Sequence, residues 1–122
     1  MTISQTARSD RDLGDAFALL SSYRRRLVLA RVSGAPEAVP VGWLATELAA
    51  AEADTQPDAV TQSERERNRI RLHHADLPPL AAAGLLHYDR ERNLVSDGDL
   101  PLSGDDWLEM PVAEALEDWN DR

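Results

Sequence analysis

Apolar residues recur at intervals of three and four along much of this 122-residue chain, which predicts a series of short amphipathic helices. We expect residues 1–10 to be disordered. The apolar face of the first helix consists of Leu13, Ala16, Phe17 and Leu20. Ser22 can cap a second helix, Tyr23–Val32, and a third is predicted at Val41–Glu52. A loop follows, and Thr61 or Ser63 can cap the next helix.

The fourth predicted helix, Glu64–Ala83, is the longest, and Gly84 stands where the chain must leave it. Pro78 and Pro79 lack an N–H and clash with the preceding turn, so they should bend this helix or split it in two. The spacing of its core-facing positions picks out Ile70, His73, Leu77, Leu80 and Gly84.

Beyond Gly84 the pattern changes to two short apolar segments around a charged turn. Leu85–Tyr88 and Leu94–Ser96 are predicted to pair as a β-hairpin, with residues 89–93 as the turn. A helix, a glycine stop and a hairpin follow one another in the order of a recognition helix and a wing. The predicted fold is therefore mainly α with a small β-hairpin, a winged helix-turn-helix over residues 11–97.

Residues 98–122 are predicted to form an acidic linker and a C-terminal helix, Asp105–Trp119, with one apolar face. Burying such a face stabilises by about 25 cal/mol per Å², and the body of the chain has little room to cover it. We therefore expect a homodimer at molar salt that weakens as salt is lowered, because salt screens the repulsion between two acidic tails. The expected dimer interface consists of Leu108, Val112, Leu116 and Trp119.

The charged residues add two expectations. All 13 basic residues are arginine, and 22 acidic residues bring the net charge to −9. A lysine-free, acidic composition suits a cytoplasm at molar salt, where the Debye length is about 3 Å. We expect a halophilic archaeal protein, with an ordinary acidic bacterial protein as the alternative. Residues 97–122 hold nine acidic residues and one arginine (−8), and residues 1–96 hold 13 and 12 (−1), so the body is nearly neutral.

Several classes of function find no support in the chain. The absence of cysteine excludes disulfides and thiolate metal sites, and neither a membrane-spanning apolar run nor a secretory signal is visible. We expect a cytoplasmic protein. There is no glycine-rich phosphate loop and no spacing of serines and histidines typical of a catalytic relay, so we expect neither catalytic residues nor a cofactor.

The candidate metal ligands do not combine well, and we expect no metal site, because the two adjacent histidines diverge on a helix. These ligands are His73, His74, Asp76 and His87. We expect His73 to be a hydrogen-bonded histidine on the core face instead.

The basic residues of the fourth helix and the hairpin are the candidate DNA contacts. In helix-turn-helix proteins the N-terminal half of the recognition helix meets base edges and phosphates, and a wing tip can reach phosphate. The expected DNA-binding residues are Arg65, Arg67, Arg69, Arg71, His74, Arg90 and Arg92. The alternative is that these arginines are solvated or paired with Glu64, Glu66, Asp89 and Glu91. The three arginines of the triplet Arg24–Arg26 cannot all point one way, and we expect one or two of them to pair with Asp12, Asp15 or a carboxylate in the wing.

Four segments also stand out together: Arg24–Arg26, residues 44–49 (LATELA), 72–80 (LHHADLPPL) and 83–89 (AGLLHYD). They resemble the short haloarchaeal winged helix-turn-helix proteins classed as a domain of unknown function, over about residues 12–97. The resemblance implies a winged-helix fold and DNA-binding transcriptional regulation. Where that family commonly has histidine before Leu-Pro, this chain has Asp76, and a carboxylate there would repel a nearby phosphate.

Two functions follow as hypotheses. The first is a transcriptional regulator that binds double-stranded DNA as a homodimer, with the recognition helix in the major groove and a contact from the wing. The second is a winged-helix interaction module that does not bind DNA and engages a protein through its acidic C-terminal helix. The arginines favour the first, and Asp76, the two prolines and the net charge favour the second.

Overall fold

A computed structural model describes residues 18–99, 102 and 104–109 of the chain. Residues 18–20 are helical. The helices that follow are α1 (Tyr23–Ser33), α2 (Val41–Glu52), α3 (Gln62–Arg71), α4 (Leu77–Ala82) and α5 (Asp106–Glu109). The strands are β1 (Val39–Pro40), β2 (Leu86–Asp89) and β3 (Leu94–Asp97). None of the described helices is long and apolar enough to cross a membrane.

Side-chain caps begin two of these helices as predicted. The Ser22 hydroxyl accepts a hydrogen bond from the Arg25 N–H at the start of α1. At the start of α3, Thr61 Oγ1 accepts from the Glu64 N–H (3.1 Å) and Glu64 Oε1 accepts from the Thr61 N–H (3.0 Å). This reciprocal pair satisfies two N–H groups that have no partner inside the helix. The loop before α3 contains one turn of 3-10 helix, Pro57–Ala59.

The fourth predicted helix is interrupted before the two prolines, which lie in the first turn of α4. Between α3 and α4 the backbone makes one π-helical turn, Leu72–Asp76, directly before Leu77 and the prolines. A π turn is wider than an α turn, which relieves the clash of a proline ring with the carbonyl four residues earlier. For Pro79 that carbonyl belongs to Ala75, and it accepts a hydrogen bond from Arg25 Nη2 (3.3 Å).

A left-handed residue ends α4 where the glycine stop was predicted. Gly84 has φ +77°, a conformation that costs other residues about 1–2 kcal/mol. Its N–H donates to the Ala81 carbonyl (3.0 Å), and the Leu85 N–H donates to the Leu80 carbonyl (3.0 Å). This is the Schellman arrangement, and it directs Leu85 into the core.

The predicted hairpin is present, and a third strand that was not predicted joins it. β2 and β3 pair antiparallel with Tyr88 opposite Val95, and β1 pairs with β3 with Val39 opposite Val95, so β3 is central. Because β1 is two residues long and contains a proline, it shows no alternating pattern in the sequence. The expected fold class is confirmed: a mainly helical chain with a small antiparallel sheet, compatible with a winged helix.

The hydrophobic core extends past the boundary predicted at residue 97. Leu102 is buried, and the indole of Trp107 in α5 is fully buried where α5 packs on α1. Leu108 is half-buried and packs against the core of its own chain. The other three residues of the predicted dimer interface, Val112, Leu116 and Trp119, lie outside the described residues. Residues 1–10 also lie outside them.

Candidate nucleic-acid interface

Helix α3 has one face against the body and one face in solvent. It packs on α2, and the side chains that it buries are Asn68 and, one turn on, Leu72. The solvent face of α3 and of the π turn after it contains five of the seven predicted DNA-binding residues. Of these, Arg69 is half-buried, and the exposed residues are Arg65, Arg67, Arg71 and His74.

The prediction that Ile70 faces the core is wrong, since its side chain is 49% exposed. The seven-residue spacing from Ile70 to Leu77 places both on one face only if the helix between them is regular. The π turn adds about one residue to that interval, which rotates α3 by roughly 100° relative to α4. Leu77 and Leu80 therefore reach the core as predicted, and Ile70 does not.

A groove of about 320 Å³ lies between this helix and β2 of the hairpin. It brings together three of the predicted DNA-binding residues, Arg69, His74 and Arg90, with Ile70 beside them. Arg67 lies on the other side of Ile70, where both line a second groove. We call the exposed faces of residues 62–74 and of hairpin residues 87–92 the helix–wing surface.

A histidine–tyrosine pair forms the floor of the first groove. His73 Nδ1 and the Tyr88 hydroxyl are hydrogen bonded, so the predicted hydrogen-bonded histidine is confirmed, although it is half-buried. Burial lowers the pKa of His73, and the charges of Arg69, His74 and Arg90 lower it further. The Arg90 guanidinium lies 5.7 Å from the centre of the Tyr88 ring. The bond between His73 and Tyr88 joins the π turn that follows α3 to strand β2.

Two arginines of the surface have carboxylate neighbours. Arg69 Nε donates to Glu66 Oε2 (3.0 Å), and this bond lowers the pKa of Glu66 and raises that of Arg69. In the hairpin turn, Arg92 Nε lies 3.9 Å from Asp89 Oδ2. Exposed pairs of this kind are worth about 0–1 kcal/mol, little enough for a phosphate to displace the carboxylate.

The Asp76 carboxylate, which was expected to repel a nearby phosphate, is buried and paired with two arginines. Asp76 Oδ2 accepts from Arg24 Nε (2.8 Å), and Oδ1 lies 3.5 Å from Arg25 Nε. Arg24 Nη1 also donates to Asn68 Oδ1 (2.6 Å) and to Glu52 Oε1 (3.0 Å). Arg24 and Arg25 are thus paired, as expected for one or two of the triplet, but with these partners in place of a wing carboxylate. The Arg26 guanidinium lies 5.7 Å from the centre of the Tyr23 ring. Asp12 and Asp15 lie outside the described residues.

A family model for a domain of unknown function, DUF7344, matches residues 17–96, which is more than half of the chain. The chain belongs to the DUF7344 family. No curated protein matches it, and no solved structure matches it.

The DUF7344 match takes in the helix–wing surface and the buried Asp76 cluster, and it ends before α5. Within the described part of this DUF7344 chain, no three histidine or carboxylate side chains lie together as a metal site would require. Sequence reasoning missed three members of these clusters, Glu52, Asn68 and Tyr88. A polar residue four positions before Leu72, on the core side of a helix, was the available signal for Asn68.

Proposed function

We propose that this DUF7344 protein is a DNA-binding transcriptional regulator of the winged-helix type. Helix α3 enters the major groove, and the hairpin contacts the neighbouring phosphate backbone. The observation that carries the proposal is the groove between α3 and β2, where Arg69, His74 and Arg90 from two separate elements meet. As part of the same proposal, the protein is one of the haloarchaeal winged-helix proteins that its sequence resembles.

The order of elements supports this orientation. Helix α2 packs behind α3, and the nine residues between them, 53–61, leave the capped N-terminus of α3 free to approach a duplex. The hairpin stands beside the same helix, tied to it by the bond between His73 and Tyr88. A recognition helix held by its neighbours on one side and flanked by a hairpin on the other presents a single surface to DNA.

The charges of the surface support the proposal locally, although the chain is acidic overall. Residues 64–71 contain four arginines and two glutamates, and the buried Asp76 carboxylate is neutralised by Arg24 and Arg25. Arginine can bind guanine or phosphate through two parallel hydrogen bonds. The lysine-free composition suits such binding at molar salt, where a few close contacts count for more than long-range attraction.

The test is selection of duplexes from a randomised DNA library with the full-length chain, followed by titration at several KCl concentrations. Arg67→Ala and Arg31→Ala change the net charge equally. Arg67 is exposed on the helix–wing surface, whereas Arg31 lies on α1 and pairs with Glu47 (3.3 Å). We expect Arg67→Ala to flatten the plot of log affinity against log salt by about one unit and Arg31→Ala to leave it unchanged.

Removing Arg67 and Arg71 together should flatten the slope by about two units. Equal slopes in all variants, or failure to select any duplex, would contradict the proposal. In that case the interaction-module hypothesis, in which the acidic C-terminal helix engages a protein, gains support.

A further inference from the structure

An apolar side chain stands at the centre of the helix–wing surface. Ile70 is 49% exposed, and it lines both grooves, the one it shares with Arg67 and the one it shares with Arg69, His74 and Arg90. The other exposed large hydrophobic residues of the described chain, Tyr23 and Trp43, lie on α1 and α2. Ile70 is therefore an isolated apolar side chain with arginines on both sides, and the Glu66 carboxylate lines the groove that it shares with Arg67.

Folding gives no reason for an isoleucine at this position. The π turn rotates α3 so that Asn68 and Leu72 make the contacts with the body, and Ile70 contributes little burial. A β-branched residue also has a lower helix propensity than the arginines around it. Packing among the described residues thus does not account for the apolar character of Ile70.

The charge around Ile70 narrows the choice of partner. Arg67 lies on one side and Arg69, with Arg90 from the hairpin, lies on the other. Phosphates flank the floor of the major groove in the same way, and the apolar feature of that floor is the C5-methyl group of thymine. A partner that is anionic at both edges and apolar between them fits this arrangement.

We propose that Ile70 is a specificity-determining residue that packs against a thymine methyl group in the major groove. This inference rests on the proposed DNA binding and adds to it the base that the helix prefers at one position. It predicts that duplexes selected by the protein share at least one thymine whose methyl group contributes to binding. A contact of this kind involves one methyl group of the base and no hydrogen bond. Changing the DNA can therefore remove it while the protein stays unaltered.

The test replaces each thymine of a selected duplex with uracil, one position at a time, and so removes only the methyl group. For the unaltered protein we expect uracil at one position per half-site to weaken binding about fourfold, the factor that corresponds to one buried methyl group. Ile70→Ala should lose a comparable factor on the thymine duplex and respond no further to uracil at that position. Arg67→Ala is the matched control: its affinity falls, but it keeps the fourfold response to uracil.

Two results would overturn the inference while leaving DNA binding intact. One is a duplex that binds in an arginine-dependent way and tolerates uracil at every position. The other is an equal uracil response in Ile70→Ala and the unaltered protein. Failure to bind any duplex would overturn the proposed function as well. A change in oligomeric state of Ile70→Ala in light scattering without DNA would assign Ile70 to an interface between copies of the chain, which also overturns it.

Discussion

Arg24 and Asp76 form a buried ion pair, with Nε 2.8 Å from Oδ2, and only 11% and 3% of their side chains are exposed. The pair joins the first turn of α1 to the π turn that follows α3. Asn68 and Glu52 accept further hydrogen bonds from the same guanidinium. The orientation of α3 therefore depends on one arginine that does not itself lie on the helix–wing surface.

The first prediction follows from the burial of this pair. Asp76→Asn keeps the volume but leaves Arg24 and Arg25 without a buried counter-charge, and we expect the free energy of unfolding to fall by about 3 kcal/mol. Glu66→Gln is the matched control, because its pair with Arg69 is exposed and screened by solvent, so the loss should be much smaller. Urea unfolding at constant salt measures both. Similar losses in the two variants would contradict the assigned roles.

The second prediction concerns pH. The folded chain holds the pKa of His73 below its ordinary value of about 6.5, mainly through burial. The unfolded chain then binds the proton more readily, so this stabilising contribution is complete above about pH 6.5 and is lost as the pH falls through that value. We expect the unfolding free energy to fall less between pH 7.5 and 5.5 (about two units of pH) in His73→Gln than in the unaltered chain. Identical pH profiles in the two proteins would be inconsistent with this role.

The third prediction compares two glycine substitutions of opposite sign. Gly84→Ala places a Cβ on a residue with φ +77° and should destabilise by about 1 kcal/mol. Gly42→Ala in α2 meets nothing within 4 Å and should stabilise by about 0.5 kcal/mol. Thermal melts of the two variants and of the unaltered chain measure both changes in stability. A Gly84→Ala protein that melts as high as the unaltered chain would argue against the Schellman end of α4.

The fourth prediction concerns assembly, which stays a proposal. The buried Trp107 shows that a chain cut before α5 would lose part of its core, so the useful truncation ends at Glu109. We expect the full chain to be dimeric at molar KCl and the truncated chain to be monomeric, as measured by light scattering. A full-length Leu116→Ser variant tests the apolar face of the predicted C-terminal helix without shortening the chain. The same oligomeric state in all three proteins would exclude that face as the dimer contact.

Local signals in the sequence predicted the helices and the hairpin well. The bounds of α2, the caps at Ser22 and Thr61 and the turn at Gly84 each depend on residues close together in the chain, and all are confirmed. The two-residue strand β1 could not be predicted, because it exists only through its pairing with β3. Its residues carry no pattern of their own.

The candidate site was predicted less completely, for a related reason. The arginines were visible as a set, but the rotation of α3 by the π turn was not, and that rotation decides which side chains are exposed. The partners of Arg24 were equally invisible, because Asp76 lies 52 residues away along the chain. Periodicity predicts faces only where the helix is regular.

The π turn at Leu72–Asp76 makes the outward face of α3 depend on the number of residues in the chain as well as on their identity. Deleting one residue within it would return the segment to ordinary α-helix and turn α3 by roughly 100° about its axis. Ile70 would move toward the body, and a different set of side chains would face outward. A change of one codon in the length of the gene would therefore replace much of the helix–wing surface at once, without substituting any residue in it.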